Sequence, residues 1–115
     1  MDQRKIVATQ VVLAPPVFME LTQAGSQVTV TITATALSAL VTAADATMTD
    51  FQNVDFILLN PEGTVRWLYK SDPTTAIGIE LVDGDTVEIR GIAPADLMLI
   101  AAGDVLVNVQ IGRLA

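Results

Sequence analysis

Short runs of apolar and β-branched residues alternate with turn signals between residues 53 and 112. Gly, Pro, Asn and Asp separate the runs, for example over residues 60–63 and 83–85. Strands of this length and spacing are typical of antiparallel sandwiches and barrels. We therefore expect six strands in this half of the chain, in the runs VDFILL, TVRWLYK, IGIEL, TVEIRGI, LMLIAA and VLVNVQI.

A seventh strand is predicted over residues 27–36, where apolar and polar positions alternate with a period of two. Val28, Val30, Ile32 and Ala34 share one face, and the threonines from 29 to 35 share the other. This alternation indicates a half-buried strand on an antiparallel sheet. The threonine face is either solvated or in contact with a partner.

The remaining segments are less regular. Residues 37–50 combine apolar residues at helical spacing with several threonines, which predicts a short helix or an irregular crossover between two sheets. Residues 4–13 and 17–22 are extended pieces separated by the Pro15–Pro16 pair, which lies at a sheet edge or outside a sheet. The sequence thus predicts an all-β antiparallel sandwich, jelly-roll-like or immunoglobulin-like, over residues 27–115, with an N-terminal arm or first strands over 1–26.

Composition narrows the range of partners. The 115 residues, enough for one domain, carry a net charge of −7 with only six Lys and Arg, so contact with nucleic acid or an anionic membrane is not expected. No apolar run approaches the ~18–20 residues of a membrane-spanning helix. Hydrophobic residues make up 51% and charged residues 17%, against a usual charged fraction of about 25%. This apolar excess favours a subunit or partner interface over a merely Ala-, Val- and Thr-rich surface.

The sequence offers little catalytic chemistry. His and Cys are absent, which removes the commonest general base and the usual soft metal ligands. The Asp83-Gly84-Asp85 run is a fragment of a calcium loop without its other ligands, and a hairpin turn explains it. We assign no catalytic, cofactor-binding or metal-binding residue and no cofactor. Paired carboxylates could in principle do general acid and base work, but most of the candidates fall in or beside predicted turns, where carboxylates accept backbone hydrogen bonds. The candidates are Asp45, Asp50, Asp55, Glu62, Asp72, Glu80, Asp83, Asp85, Glu88, Asp96 and Asp104.

Two aromatic residues provide an alternative binding hypothesis. Trp67 and Tyr69 share a strand face, and such a pair is either a core anchor or a stacking platform for sugars. Arg66, Leu68 and Lys70 are expected on the opposite face. Glu88 and Arg90, on a neighbouring strand, are candidates for cross-strand charge pairing there. The polar run from Ser71 to Thr75 is a contact loop or simply a well-specified turn.

The order of strands and turns over residues 53–113 resembles small virion proteins of tailed bacteriophages, which decorate or cement capsids, and related β-sandwich head proteins. The resemblance implies a sandwich, commonly a homotrimer, seated where capsid subunits meet. Fifteen positions carry it: Asp72, Pro73, Gly78, Leu81, Gly84, Asp85, Val87, Ile89, Leu97, Ile100, Ala101, Gly103, Leu106, Asn108 and Gly112.

These observations lead to one functional expectation with two alternatives. We expect a non-enzymatic capsid decoration or cement protein on the virion surface, made in the host cytoplasm, whose partners are the major capsid protein and its own copies. Its predicted interface elements are Ile6 to Phe18 and the threonine face from Thr29 to Thr35. The alternatives are a phage neck, tail or fibre-attachment component and a carbohydrate-binding module that uses Trp67 and Tyr69.

Overall fold

The computed structural model describes residues 16–18, 26–51 and 54–114. This part of the chain forms nine strands and one helix, and all strand pairs are antiparallel. The elements are β1 (Pro16–Phe18), β2 (Gln27–Val30), β3 (Thr35–Ala36), α1 (Leu37–Ala44), β4 (Phe56–Pro61), β5 (Val65–Tyr69), β6 (Ile79–Leu81), β7 (Val87–Arg90), β8 (Leu97–Ala101) and β9 (Val105–Leu114). The six strands predicted between residues 53 and 112 are confirmed.

The strands form two sheets that make an all-β sandwich. One sheet has the order β1-β9-β4-β7, with β2 pairing β9 as well, and the other has the order β3-β8-β5-β6. The pairs are β2 with β9, β3 with β8, β4 with β7 and β5 with β6. The chain therefore follows the course of one long hairpin whose strand pairs are divided between the two sheets. This is the strand order of a jelly roll, one of the two expected sandwich types.

Alternating side chains of both sheets fill the space between them. In β9, Val107, Val109 and Ile111 are fully or almost fully buried, and their neighbours in the register, Ile57 and Leu59 of β4, are fully buried as well. Leu97 and Leu99 of β8 face them from the second sheet. Burial of each such side chain contributes about 1.5–3 kcal/mol, so these strands carry most of the stability.

The single long strand predicted over residues 27–36 is wrong. β2 ends at Val30, residues 31–34 cross to the other sheet, and β3 continues there. The crossing is held by hydrogen bonds from Thr33 N to Thr31 Oγ1 (3.2 Å) and from Thr35 Oγ1 to Thr33 O (2.8 Å). Threonine hydroxyls can satisfy the backbone outside a ladder, and here they do so in place of strand pairing. As a result Ile32 is 67% exposed, and the threonines form no continuous face.

The predicted helix or crossover over residues 37–50 contains α1, which links β3 in one sheet to β4 in the other. No side chain caps its N-terminus, but Ser38 N donates to Pro94 O at 3.1 Å. Leu37, Leu40 and Val41 are buried, and the helix packs against β2, β3 and β8. An eight-residue helix is marginal alone, so this one depends on its buried face.

The turn over residues 83–85 connects two sheets instead of closing a hairpin. β6 and β7, on either side of it, belong to different sheets, so the hairpin expected there is wrong. Asp85 N donates to Val82 O at 3.0 Å, and Val82 N donates to Asp85 Oδ2 at 2.9 Å. Gly84, at φ 86°, completes the turn in a conformation that favours glycine.

Of the predicted N-terminal arm over residues 1–26, the structure describes residues 16–18 and Ser26. There β1 pairs with Gly112 to Leu114 at the end of β9, in the same sheet as β2. Pro16 opens this strand at a sheet edge, as expected for proline. The rest of the predicted arm, including Ile6 to Pro15, lies outside the described residues.

Candidate functional site

Several carboxylates of the described chain accept hydrogen bonds from nearby groups of the fold. Asp45 accepts from the backbone and hydroxyl of Thr47, and Glu80 pairs with Arg66 at 3.1 Å. Within the residues described, no group of three or more Asp or Glu side chains is placed to hold a metal ion.

Trp67 and Tyr69 share one face of β5, as predicted, and this is the face that looks toward the sandwich interior. Trp67 packs against the core, and its Nε1 is buried without a hydrogen-bond partner in the described chain. Tyr69 is 50% exposed at the open end of the sandwich, with Lys70 Nζ 5.4 Å from its ring centroid. The indole is mainly a core anchor, and the two rings do not present a joint exposed platform.

Arg66 pairs across strands with a different partner from the one expected. Glu88 and Arg90 lie on β7 in the opposite sheet and pair with each other, so they do not reach Arg66. Arg66 instead donates to Thr75 O (3.1 Å), Gly78 O (2.9 Å) and Glu80 Oε2 (3.1 Å). Its guanidinium thus ties the loop over residues 70–78 to the outer face of β5.

The three hydrogen bonds of the Arg66 guanidinium lead to a testable prediction. Arg66→Lys keeps the charge but loses the geometry for three simultaneous hydrogen bonds. We expect amide hydrogen exchange of Ile77, whose N–H bonds Thr74 within the loop, to accelerate by about tenfold, given that a hydrogen bond to a charged group contributes about 1.5–3 kcal/mol before solvent screening. Exchange in β9 should not change. Arg90→Lys, in an exposed pair on β7, is the matched control, and equal acceleration in both variants would contradict the role of Arg66.

The two sheet edges at the β6 and β7 side of the sandwich differ in chemistry. β7 carries the Glu88–Arg90 ion pair, whose hydrogen bond raises the pKa of Arg90. Charged side chains of this kind discourage edge-to-edge pairing. β6 pairs with β5 on one side, and no described strand pairs with its other side.

Exposed apolar side chains occupy and flank the β6 edge. Ile79 is 52% exposed in the strand, Ile77 is 62% exposed just before it and Val82 is also exposed just after it. We call these three residues the apolar edge. The carboxylate of Glu80, which lies between them, forms an ion pair with Arg66. The β6 edge therefore combines a side without a described strand partner with exposed apolar side chains, which favours contact with another chain.

A row of amide side chains crosses the outer face of the larger sheet. Gln27 of β2, Asn108 of β9 and Asn60 of β4 are register partners, and their amides are joined by hydrogen bonds of 3.2 and 3.0 Å. Asn60 Nδ2 also donates to Asp85 O (2.9 Å) in the turn before β7. We call these three residues the amide row. The sequence analysis did not single out this row.

A cleft of about 330 Å³ lies beside the amide row. The volume is at the lower end of the range of about 300–1,000 Å³ for small-molecule sites. Its lining includes Asn60 and Asn108 of the amide row, together with Leu58 and Gln110.

Comparisons of the chain with protein families, with curated proteins and with solved structures found no match. Among the described residues, the only helix is too short to cross a membrane.

Proposed function

We propose that this protein is a non-enzymatic structural component of a tailed-bacteriophage virion, namely a capsid decoration or cement protein. The observation that carries the proposal is the apolar edge of Ile77, Ile79 and Val82 on the unpaired side of β6. A strand edge of this kind binds another chain by backbone hydrogen bonds and apolar burial, and neither requires a reactive side chain.

Three further features support this class of function. Jelly rolls recur in viral capsid proteins, although the fold alone does not specify function. The strand and turn residues from 53 to 113 resemble those of phage decoration proteins. The apolar content of 51%, without His or Cys, suits a subunit that acts through its surfaces.

The proposed partners are further copies of the chain, in a homotrimer, and the major capsid protein on the virion surface. A three-fold contact joins two different surfaces of neighbouring copies, so one apolar edge per copy is sufficient. Many such copies on a closed shell gain avidity from multivalency, without any single strong contact. A neck, tail or fibre-attachment component would use the same edge in a ring of a different size.

The carbohydrate-binding alternative through Trp67 and Tyr69 has weaker support, because the Trp67 indole packs against the core. Titration of the protein with oligosaccharides while Trp67 fluorescence is recorded tests it directly. A saturable change in emission would favour this alternative over a capsid role.

The assembly proposal predicts that Ile79→Lys abolishes the oligomer. A lysine at the apolar edge places a charge in the buried contact and opposes pairing of β6 with another chain. Native mass spectrometry across a dilution series should show a trimer for the natural protein and a monomer for the variant. Trp67 fluorescence in urea should show that the variant remains folded, because Ile79 is half exposed.

Ile32→Lys is the matched control, since Ile32 is an isoleucine away from β6 that is also more than half exposed. It introduces the same charge and should leave the trimer intact. A natural protein that stays monomeric at all concentrations would refute the proposed homotrimer. A trimer that survives Ile79→Lys would place the interface on another surface.

A further inference from the structure

The cleft on the larger sheet has an apolar floor and a polar rim. Leu58 projects from the outer face of β4 and is half-buried, with Gln110 of β9 beside it in the register. Asn60, Asn108 and Thr86 also line the cleft, as does Ser26, the residue before β2. The side chain of Leu58 therefore forms the apolar floor, because Leu59 and Val109 are buried in the core, and amide and hydroxyl groups border it.

The rim amides are held in fixed orientations. Asn108 Nδ2 donates to Asn60 Oδ1 (3.0 Å) and to Glu62 Oε2 (3.4 Å), and Asn60 Nδ2 donates to Asp85 O (2.9 Å). In this network each asparagine oxygen accepts one hydrogen bond of the two that a carbonyl oxygen can accept. Each of these two oxygens can therefore accept one more hydrogen bond from a ligand. Because both side chains are already ordered in the folded protein, binding there costs little additional conformational entropy.

The chemistry of the lining selects one class of ligand. None of the described lining residues is charged or aromatic, so these residues offer no cationic partner to an anion and no ring on which a nucleobase could stack. Among the described strands, β4 and β9 pair with each other beneath the cleft, so an extended peptide cannot add a strand between them. A pyranose ring fits both parts, since its C–H face contacts the apolar floor and its hydroxyls reach the amides.

We infer that this cleft is a binding site for a neutral carbohydrate. The inference goes beyond the proposed virion role and does not rest on it. The cleft lies on the outer face of the β2-β9-β4 sheet, whereas the apolar edge belongs to the other sheet. A subunit built this way has one surface for assembly and another for a sugar.

Side-chain amide resonances of the ¹⁵N-labelled protein provide the direct test. Maltotriose, cellotriose, lactose and N-acetylglucosamine are titrated separately to millimolar concentration. At least one should shift the side-chain amide signals of Asn60, Asn108 and Gln110 in a saturable way. Gln110→Ala should weaken that binding by about five- to tenfold, the value of one to two hydrogen bonds.

Leu58→Gln and Leu68→Gln form a matched pair for the apolar floor. Both leucines are half-buried on the outer face of a strand, but Leu68 lies on β5 in the other sheet. Leu58→Gln should weaken binding about tenfold while Leu68→Gln leaves it unchanged, and an unchanged oligomer in both separates this result from the assembly proposal. Three results would overturn the inference. They are the absence of shifts with all four sugars, shifts confined to resonances of residues near Tyr69, and equal binding of a sugar by Leu58→Gln and the natural protein.

Discussion

Leu37→Ala should lower the free energy of unfolding by about 2–5 kcal/mol, the usual cost of truncating a fully buried leucine. β2 and β3 are edge strands of opposite sheets, and α1 packs against both of them. Leu37, with Leu40 and Val41, fills the opening between these edges. Truncation leaves a cavity that the two sheets cannot close without breaking their register. Urea denaturation followed by Trp67 fluorescence measures the loss.

The control is Leu106→Ala, which makes the same chemical change on the outer face of β9, where the leucine is 41% exposed. It should cost less than about 1 kcal/mol. Hydrogen exchange of the α1 backbone amides shows whether this helix unfolds together with the core or opens by itself. A Leu37→Ala cost no larger than that of Leu106→Ala would show that α1 is peripheral to the sandwich.

The strands were predictable because each carries its own signal. In β9, valines and isoleucine at alternate positions are bounded by a Gly-Asp turn before Val105, and this pattern has no competing helical reading. The same holds for β4 and β8, where short apolar runs lie between proline or glycine turns. Local sequence therefore sufficed for the elements between residues 53 and 112.

Sheet membership was not predictable from the same signals. The turn at Asp83-Gly84-Asp85 has hairpin chemistry, yet it carries the chain between sheets. Ile32 continues the alternation of Val28 and Val30 but falls in a crossing loop, where it is exposed. Turn residues specify local φ and ψ, whereas the choice between pairing and crossing depends on which distant strand covers the apolar face.

The candidate surfaces depend on contacts between residues far apart in the chain. Gln27 and Asn108 are 81 positions apart, and Asn60 and Asn108 are 48 apart. The available signal was weak: Asn108, like Gln110, is polar at an outward position of a strand whose inward positions are apolar. Such a residue is usually just solvated, and only the register of β2, β9 and β4 shows that three amides are aligned.

Gly112→Ala should destabilise the protein by about 1–3 kcal/mol through overpacking. The buried Phe56 ring of β4 lies against Gly112, its register partner in β9. A Cβ at position 112 would stand only 2.6 Å from Cε1 and 2.9 Å from Cε2 of that ring, closer than real Cβ atoms approach. Either the ring leaves its rotamer or the two strands separate. Urea denaturation should therefore show a lower midpoint with an unchanged slope.

A double-mutant cycle with Phe56→Leu isolates this contact. Leucine lacks the ε and ζ carbons that the new methyl group would meet, so Gly112→Ala should cost much less in the Phe56→Leu background, with a coupling energy of about 1–2 kcal/mol. Gly103→Ala is the matched control, because a Cβ there meets no atom within 4 Å. It should change stability by no more than about 0.5 kcal/mol. An equal cost of Gly112→Ala in both backgrounds would mean that the strain arises from the β9 backbone and not from the ring.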